Sequence, residues 1–179
     1  MLQHPHEQRH AKNSVALLRL SLAYCEVVVG ERFTSETLAT LLQRPGRQTL
    51  LLYPDVPATP APPAIPLVAD TPLRLVVIDA TWRKSLRMLF EHPAMATLPR
   101  LSLDATAPSR YRAIRAARGG DQLSTLEATV HALTTLEGPF FDGTPLLDAF
   151  GRFVTDVAGR QQPRTAPGHA TGAASTASP

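Results

Sequence analysis

The sequence predicts an α/β protein with an open, mostly parallel sheet and helices on both of its faces. Three observations support this fold class. Short strands alternate with helices along the chain, the strands are rich in valine, isoleucine and leucine, and the strand over 73–79 is apolar on both faces towards its end. Central strands of parallel sheets are buried on both faces in this way. In such sheets, ligands bind beyond the carboxyl ends of the strands.

The first half of the chain is predicted to contain two helices and two strands. The helices cover 13–23 and 35–43, and the strands cover 25–29 and 49–53. Residues 25–29 are predicted to form a buried strand, because the segment is short, β-branched and ends at Gly30. Ser35 is the predicted N-cap of the second helix, which ends before a proline and a glycine.

A proline-rich connection over 54–72 follows, in which seven of the nineteen residues are proline. Proline lacks an amide proton and restricts its neighbours, so this segment is predicted to be a stiff surface connection. It is not predicted to be a domain boundary, because the part of the chain before it is too small to hold its own core. A single domain is therefore expected over 1–161.

The second half of the chain is predicted to contain two strands, three helices and a disordered tail. The strands cover 73–79 and 100–103, the helices cover 81–91, 123–136 and 144–159, and the tail covers 162–179. The last two helices each carry apolar residues along one stripe, as a helix does when it packs against a core. The tail consists mainly of alanine, serine, threonine, glycine and proline, which bury too little apolar surface to order it.

Composition argues against several classes of protein. The chain has 179 residues, of which 44% are hydrophobic, and it has no apolar run of about 18 residues that could cross a membrane. No secretory signal is recognisable, so a cytoplasmic location is expected. The only cysteine, Cys25, can form neither an internal disulfide nor a cysteine-rich zinc site. His4, His6 and His10 match no closed zinc spacing and are expected to be solvated, so no metal is expected.

Basic residues cluster in the second half of the chain. Between Arg83 and Arg118, eight basic residues face two acidic ones, so this segment carries +6, whereas the whole chain carries +3 and the remainder therefore −3. Sixteen of the 18 basic residues are arginine. The guanidinium group binds phosphate and stacks on nucleobases, so the clustering favours an anionic partner such as RNA.

Asp79, Thr81 and Trp82 form the first candidate constellation, where the central strand joins its helix. Two interpretations stay open. Asp79 can cap the helix while Trp82 packs in the core, because aspartate is a preferred N-cap. Alternatively, Asp79 lies at the mouth of a cleft, where its carboxylate can act as a base or as an orienting hydrogen-bond acceptor.

A second constellation lies between 108 and 127. Three arginines surround one tyrosine, namely Arg110, Tyr111, Arg112 and Arg115. Alternation of cations with an aromatic ring is typical of single-stranded RNA recognition, and a solvated polar face is the alternative. Further along, Ser124 and Thr125 begin a helix, where amides and hydroxyls favour an anionic group such as a carboxylate. Plain helix capping is the alternative there.

These motifs together resemble those of the DTW-domain family. Asp79-x-Thr81-Trp82 matches the signature for which that family is named, and the run Gln-Leu-Ser-Thr-Leu-Glu-Ala over 122–128 matches its second signature, preceded by Arg110-Tyr111-Arg112. Two further stretches are similar to family motifs: His4-Pro5-x-Glu7 with Asn13, where Ser14 replaces a threonine, and the strand end Leu51-Leu52-Tyr53-Pro54. The resemblance covers roughly residues 3–160.

The resemblance implies a SPOUT-like fold with a C-terminal knot and an enzyme of RNA modification. Characterised members transfer the 3-amino-3-carboxypropyl group of S-adenosylmethionine to N3 of a tRNA uridine, so tRNA is the expected partner and S-adenosylmethionine the expected group donor. The implied catalytic residues are Asp79, Thr81 and Trp82. The implied cofactor-binding residues are Tyr53, Pro54, Gln122, Leu123, Ser124, Thr125 and Glu127. The implied RNA-binding residues are Arg83, Arg110, Tyr111, Arg112 and Arg115.

Two other classes stay open on the sequence alone. A SPOUT-type RNA methyltransferase would use the same donor and transfer its methyl group instead. A non-catalytic RNA-binding module is the other class, because many family members begin with a zinc-binding cysteine cluster that this sequence lacks. The particular tRNA, the particular uridine and the oligomeric state do not follow from the sequence.

Overall fold

The computed structural model describes residues 1–9, 14–103 and 123–161, with side chains as far as Asp156 in the last helix. Five parallel strands form one sheet in this part of the chain: β1 Leu2–Gln3, β2 Val28–Val29, β3 Gln48–Leu52, β4 Leu73–Asp79 and β5 Arg100–Leu101. Their order across the sheet is β2-β1-β4-β3-β5, so the longest strand is also the central one. The predicted α/β class and parallel sheet are confirmed.

The amino-terminal part of the sheet differs from the prediction. β1 was not predicted, because two residues are too few to show any periodicity. It nevertheless lies beside the central strand, with Gln3 opposite Asp79. The predicted buried strand over 25–29 was wrong in extent and burial. Only Val28 and Val29 are paired, and Val29 is 40% exposed, because β2 lies at the edge of the sheet and contacts β1 alone.

Seven α-helices accompany the strands of the described segments: α1 Pro5–Gln8, α2 Ser14–Ser21, α3 Ser35–Leu42, α4 Trp82–Glu91, α5 Pro93–Ala96, α6 Thr125–Glu137 and α7 Thr144–Gln161. All five longer helices were predicted to within about two residues at each end. The predicted cap of α3 was off by one position, because the hydroxyl of Thr34, not Ser35, accepts the amide of Thr37.

Helices cover both faces of the sheet, as predicted. On one face, Leu38, Met88 and Met95 from α3, α4 and α5 pack against Leu51 and Val76 of the central strands. On the other face, α2, α6 and α7 form a second core, built from Leu18, Leu126, Val130, Leu146, Leu147 and Phe150. Successive side chains of a strand point to opposite faces. The side chain of Asp79 therefore points to the face opposite Val76, the face that α6 covers.

The proline-rich connection 54–72 lies mostly on the surface, as predicted. It is tied to the sheet at two points. The side-chain amide of Gln48 bonds the carbonyl of Pro66 and the amide of Val68. The guanidinium group of Arg100 donates to the carbonyl oxygens of Pro54 and Thr59. The Arg100 bonds hold the start of the connection beside β5, and the Gln48 bonds hold its later part at the amino end of β3.

Several predictions lie beyond the described residues. The tail over 162–179 is among them, and the predicted knot depends on the path of residues 104–122, which the described ranges also omit. Within the ranges that are described, no helix combines the length and the apolar character needed to cross a membrane.

Candidate active site

Asp79 ends the central strand, and its carboxylate is held by residues from two other elements. Its Oδ1 accepts a 2.6 Å hydrogen bond from the hydroxyl of Thr125, the first residue of α6. Its Oδ2 accepts a 2.9 Å hydrogen bond from the side-chain amide of Gln3 in β1. The side chain is 8% exposed. Two donors on separate elements fix the orientation of this carboxylate at the carboxyl edge of the sheet.

Neither partner of Asp79 carries a charge. Among the described residues, no lysine, arginine or histidine forms an ion pair with it. A buried carboxylate without a cation is costly unless hydrogen bonds compensate. Two oxygens offer about four lone-pair sites, and the two hydrogen bonds from the described residues use half of them. The arrangement can therefore accept a further hydrogen bond or attract a cationic group of a ligand.

The structure contradicts one of the two interpretations of Asp79 and Trp82. Thr81, not Asp79, is the N-cap of α4, and it makes no side-chain capping bond. Trp82 does not pack in the core, since its side chain is 53% exposed. The capping-and-core interpretation is wrong on both counts. Both residues lie at the carboxyl edge of the sheet, where the alternative interpretation expected a cleft.

The aromatic ring of Tyr53 packs against the indole of Trp82. The two ring centroids lie 5.3 Å apart with the planes tilted by 55°. Tyr53 is buried, and its hydroxyl lies 3.2 Å from the hydroxyl of Ser85 in α4. The guanidinium carbon of Arg100 lies 5.2 Å from the centroid of the Tyr53 ring. Tyr53 directly follows β3, and its contacts with Trp82, Ser85 and Arg100 connect the carboxyl edge of the sheet to the first turn of α4.

The start of α6 forms a capping box. The hydroxyl of Ser124 accepts the amide of Glu127 at 3.2 Å, and the Glu127 carboxylate accepts the amide and the hydroxyl of Ser124 at 2.8 and 2.7 Å. The capping alternative thus holds for Ser124, whose hydroxyl and amide already have partners. Thr125 differs, because its hydroxyl points to Asp79. The capping box fixes the turn from which Thr125 reaches the carboxylate.

His4 was misjudged from the sequence, and Gln3 was not singled out by it. His4 was expected to be solvated but is 2% exposed, because its backbone amide pairs with the carbonyl of Asp79 at 2.9 Å. Its Nδ1 accepts the amide of His6, which caps α1. Burial lowers the pKa of the His4 imidazole, and nearby Lys84 lowers it further, while Glu31 opposes the shift. Gln3 gave no signal in the sequence, since its position follows from strand pairing alone.

The other predicted site residues are distributed as follows. Thr81 and Arg83 are exposed near the start of α4, and Pro54 and Leu123 are half-buried. Five predicted residues lie outside the described ranges, namely Arg110, Tyr111, Arg112, Arg115 and Gln122. Within those ranges, no group of three or more histidine, cysteine, aspartate or glutamate side chains could hold a metal ion.

A large groove in the described part of the chain lies away from this site. It has a volume of about 920 Å³ and is lined by residues at the amino ends of the strands, among them Met1, Leu73 and Arg74. Asp79 is not part of it. We place the candidate site at the carboxyl edge nevertheless, because that edge holds the fixed carboxylate and the exposed indole, and ligands of open parallel sheets bind there.

The fold and this edge define an α/β domain with a candidate ligand-binding or catalytic site at the carboxyl ends of parallel strands. The model of the DTW domain matches residues 1–158. The chain therefore belongs to the DTW-domain family.

Curated relatives of the chain are named tRNA-uridine aminocarboxypropyltransferases. The chain is 34% identical over 141 residues to tRNA-uridine aminocarboxypropyltransferase 2 of Drosophila melanogaster, covering 76% of this chain and 55% of that protein. It is 32% identical to the Mus musculus protein of the same name, over 76% of this chain and 47% of the relative. The chain spans about half the length of these relatives. No solved structure matches it significantly.

Proposed function

We propose that this chain transfers the 3-amino-3-carboxypropyl group of S-adenosylmethionine to N3 of a uridine in tRNA. Membership of the DTW-domain family and the names of the curated relatives support the reaction class. The observation that carries the proposal is the fixed Asp79 carboxylate, which accepts bonds from Gln3 and Thr125 at the carboxyl edge of the sheet.

The proposed reaction forms a bond between N3 of uridine and the terminal carbon of the aminocarboxypropyl chain. The bond between that carbon and the sulfur breaks, methylthioadenosine leaves, and the N3 proton passes to an acceptor. S-adenosylmethionine supplies an electrophilic carbon that its sulfonium charge already activates. The protein's task is therefore mainly to orient the two reactants and to receive the proton.

Asp79 is the proposed acceptor for the N3 proton. N3 is a poor nucleophile while it keeps its proton, so a hydrogen-bond acceptor in the right place accelerates the attack. The bonds from Gln3 and Thr125 hold the carboxylate in one orientation before substrate binds. The remaining lone pairs on its two oxygens can face the N3–H group.

The proposed binding site for the group donor lies at the same edge of the sheet. We assign the donor to the residues that the family motifs imply, namely Tyr53, Pro54, Gln122, Leu123, Ser124, Thr125 and Glu127, of which Thr125 contacts Asp79 and Gln122 lies outside the described residues. The capping box of Ser124 and Glu127 is proposed to fix the backbone conformation of this part of the donor site.

Basic residues and one tyrosine of the family motifs are the proposed contacts to tRNA. Arg83 is exposed one residue after Trp82. Arg110, Tyr111, Arg112 and Arg115 belong to the same proposal, because guanidinium groups bind phosphate and an aromatic ring stacks on bases. Modification of tRNA by this chain is expected to take place in the cytoplasm.

Mass spectrometry of nucleosides tests the proposal. Unmodified tRNA is incubated with the protein and S-adenosylmethionine, digested and compared with a reaction that contains Asp79→Asn. A uridine carrying the aminocarboxypropyl group, formed by the native protein alone, is the expected result. A methylated nucleoside would instead identify a methyltransferase. Retention of tRNA without any new nucleoside would identify a non-catalytic RNA-binding module.

A further inference from the structure

We propose that the exposed indole of Trp82 is the platform on which the target uracil stacks. This inference rests on the proposed function and assigns the recognition of the base to one side chain. It is carried by the exposure of Trp82, by the rigid support behind its ring, and by its closeness to Asp79.

The support behind Trp82 is a closed set of contacts. The Tyr53 ring lies against the indole at 5.3 Å, and the Tyr53 hydroxyl lies 3.2 Å from the hydroxyl of Ser85. Ser85 in turn donates a 2.9 Å hydrogen bond to the carbonyl of Trp82. Ring, hydroxyl and backbone are thus linked in one loop of contacts, which limits the movement of the indole. A preorganised ring binds a base with a smaller loss of conformational entropy.

Arg100 in turn holds the Tyr53 ring in place. Its guanidinium group lies over the Tyr53 ring at 5.2 Å and donates to the carbonyl oxygens of Pro54 and Thr59 at 3.0 and 3.2 Å. Arg100 therefore contacts Tyr53, and Tyr53 contacts Trp82, whose side chain is about half exposed to solvent. Other exposed aromatic side chains, such as Tyr24 and Phe140, line the groove at the opposite edge.

The position of Trp82 suits a base that also faces Asp79. The two residues are three positions apart in the chain, so their Cα atoms are at most about 11 Å from one another. One nucleotide can span this distance. A uracil whose face stacks on Trp82 can direct its N3 edge towards the Asp79 carboxylate. The aromatic face gives affinity for any planar base, and the acceptor selects a base that carries an N–H at this edge.

Fluorescence tests the proposal directly, because Trp82 is the only tryptophan of the chain. The probes are oligouridylate and an oligonucleotide of the same length composed of dihydrouridine. Both carry the same phosphate charge and the same N3–H group, but the dihydrouracil ring is not aromatic and cannot stack. We expect oligouridylate to quench the fluorescence and to bind on the order of tenfold more tightly than its counterpart. Equal binding and equal quenching by the two would overturn the proposal.

Variants of the indole supply the matched comparison. Trp82→Phe keeps an aromatic ring and is expected to retain most of the preference for oligouridylate, whereas Trp82→Ala is expected to lose it. Binding of these variants is measured by anisotropy of labelled RNA, with circular dichroism to verify folding. Phe140→Ala, at the opposite edge, is the control and should keep the full preference. A preference that survives in Trp82→Ala would place the stacking contact elsewhere.

The alternative occupant of the indole is the adenine of the group donor. Methylthioadenosine and S-adenosylhomocysteine are therefore titrated alone. Quenching by either one in the absence of RNA would overturn the assignment to uracil. The outcome is independent of catalysis: if mass spectrometry finds no modified uridine while oligouridylate still quenches Trp82, the proposed function fails and the stacking site stands.

Discussion

The hydroxyl of Thr125 donates a 2.6 Å hydrogen bond to the carboxylate of Asp79, which is 46 positions earlier in the chain. This bond joins the first residue of α6 to the last residue of β4. It connects the two sequence motifs that resemble the DTW-domain family. Together with the amide of Gln3, it makes Asp79 a preorganised acceptor, and the first predictions follow from that geometry.

Asp79→Asn should abolish group transfer while S-adenosylmethionine still binds. The amide is a much weaker proton acceptor than the carboxylate, so the rate should fall by about 10²-fold or more. Initial rates of nucleoside formation and calorimetric binding of the donor measure the two effects separately. Turnover at the native rate would remove Asp79 from its proposed role.

Thr125→Val should lower both the rate and the stability, because it removes the donor and keeps the shape of the side chain. A hydrogen bond to a charged group contributes roughly 1.5–3 kcal/mol. Thr125→Ser retains the hydroxyl and is expected to restore most of both losses. Rates and urea denaturation of the three proteins supply the comparison. A serine variant as impaired as the valine variant would show that the methyl group, not the hydrogen bond, matters here.

Ser124→Ala should destabilise the protein by about 1 kcal/mol, the usual cost of losing an N-cap. The turn that leads to Thr125 loosens, so the affinity for S-adenosylmethionine should fall as well. Methylthioadenosine lacks the aminocarboxypropyl group, and its affinity should fall less if this turn holds that group. Calorimetry with both compounds measures the difference. Equal losses would assign the turn to the adenosine half of the donor.

Stability should decrease as the pH falls below about 6.5, the usual pKa of histidine. Burial lowers the pKa of His4 in the folded protein, so the unfolded chain takes up this proton first and acid favours unfolding. His4→Asn preserves an N-cap acceptor for the amide of His6 but cannot titrate. The melting temperature of this variant should depend less on pH between about 7.5 and 5.5, which is about one unit either side of the usual histidine pKa. Identical pH profiles would mean that other groups cause the acid sensitivity.

Arg112→Ala and Arg115→Ala should weaken tRNA binding and reduce its dependence on salt. Each lost phosphate contact lowers the slope of log affinity against log salt by roughly 0.7–0.9. Arg19→Ala, exposed on α2, is the matched control and should leave the slope unchanged. Filter binding over a series of salt concentrations measures the slope. If all three variants behave alike, the proposed contacts are a solvated face.

The longer elements of the fold were predictable because the residues of each element show its apolar pattern without reference to the rest of the chain. β4 is a run of apolar residues, and α6 and α7 each carry an apolar stripe. The ends of the helices were predicted from prolines, glycines and capping residues next to the helix termini. β1 could not be predicted in this way, since Leu2–Gln3 is a strand only because the edge of β4 is available to pair with it. The same limit explains why Val29 was expected to be buried and is 40% exposed.

The sequence by itself determined the α/β class, the parallel sheet and the family resemblance, and it singled out Asp79 and Thr125 as candidate site residues, because motifs and periodicity are local properties. Only the tertiary structure decided which residues these side chains contact. It placed Gln3 beside Asp79, turned the Thr125 hydroxyl towards the carboxylate and left Trp82 half-exposed on Tyr53. The physical reason is that strand order and helix packing bring together residues distant in the chain, and no local pattern records which strand becomes the neighbour of which.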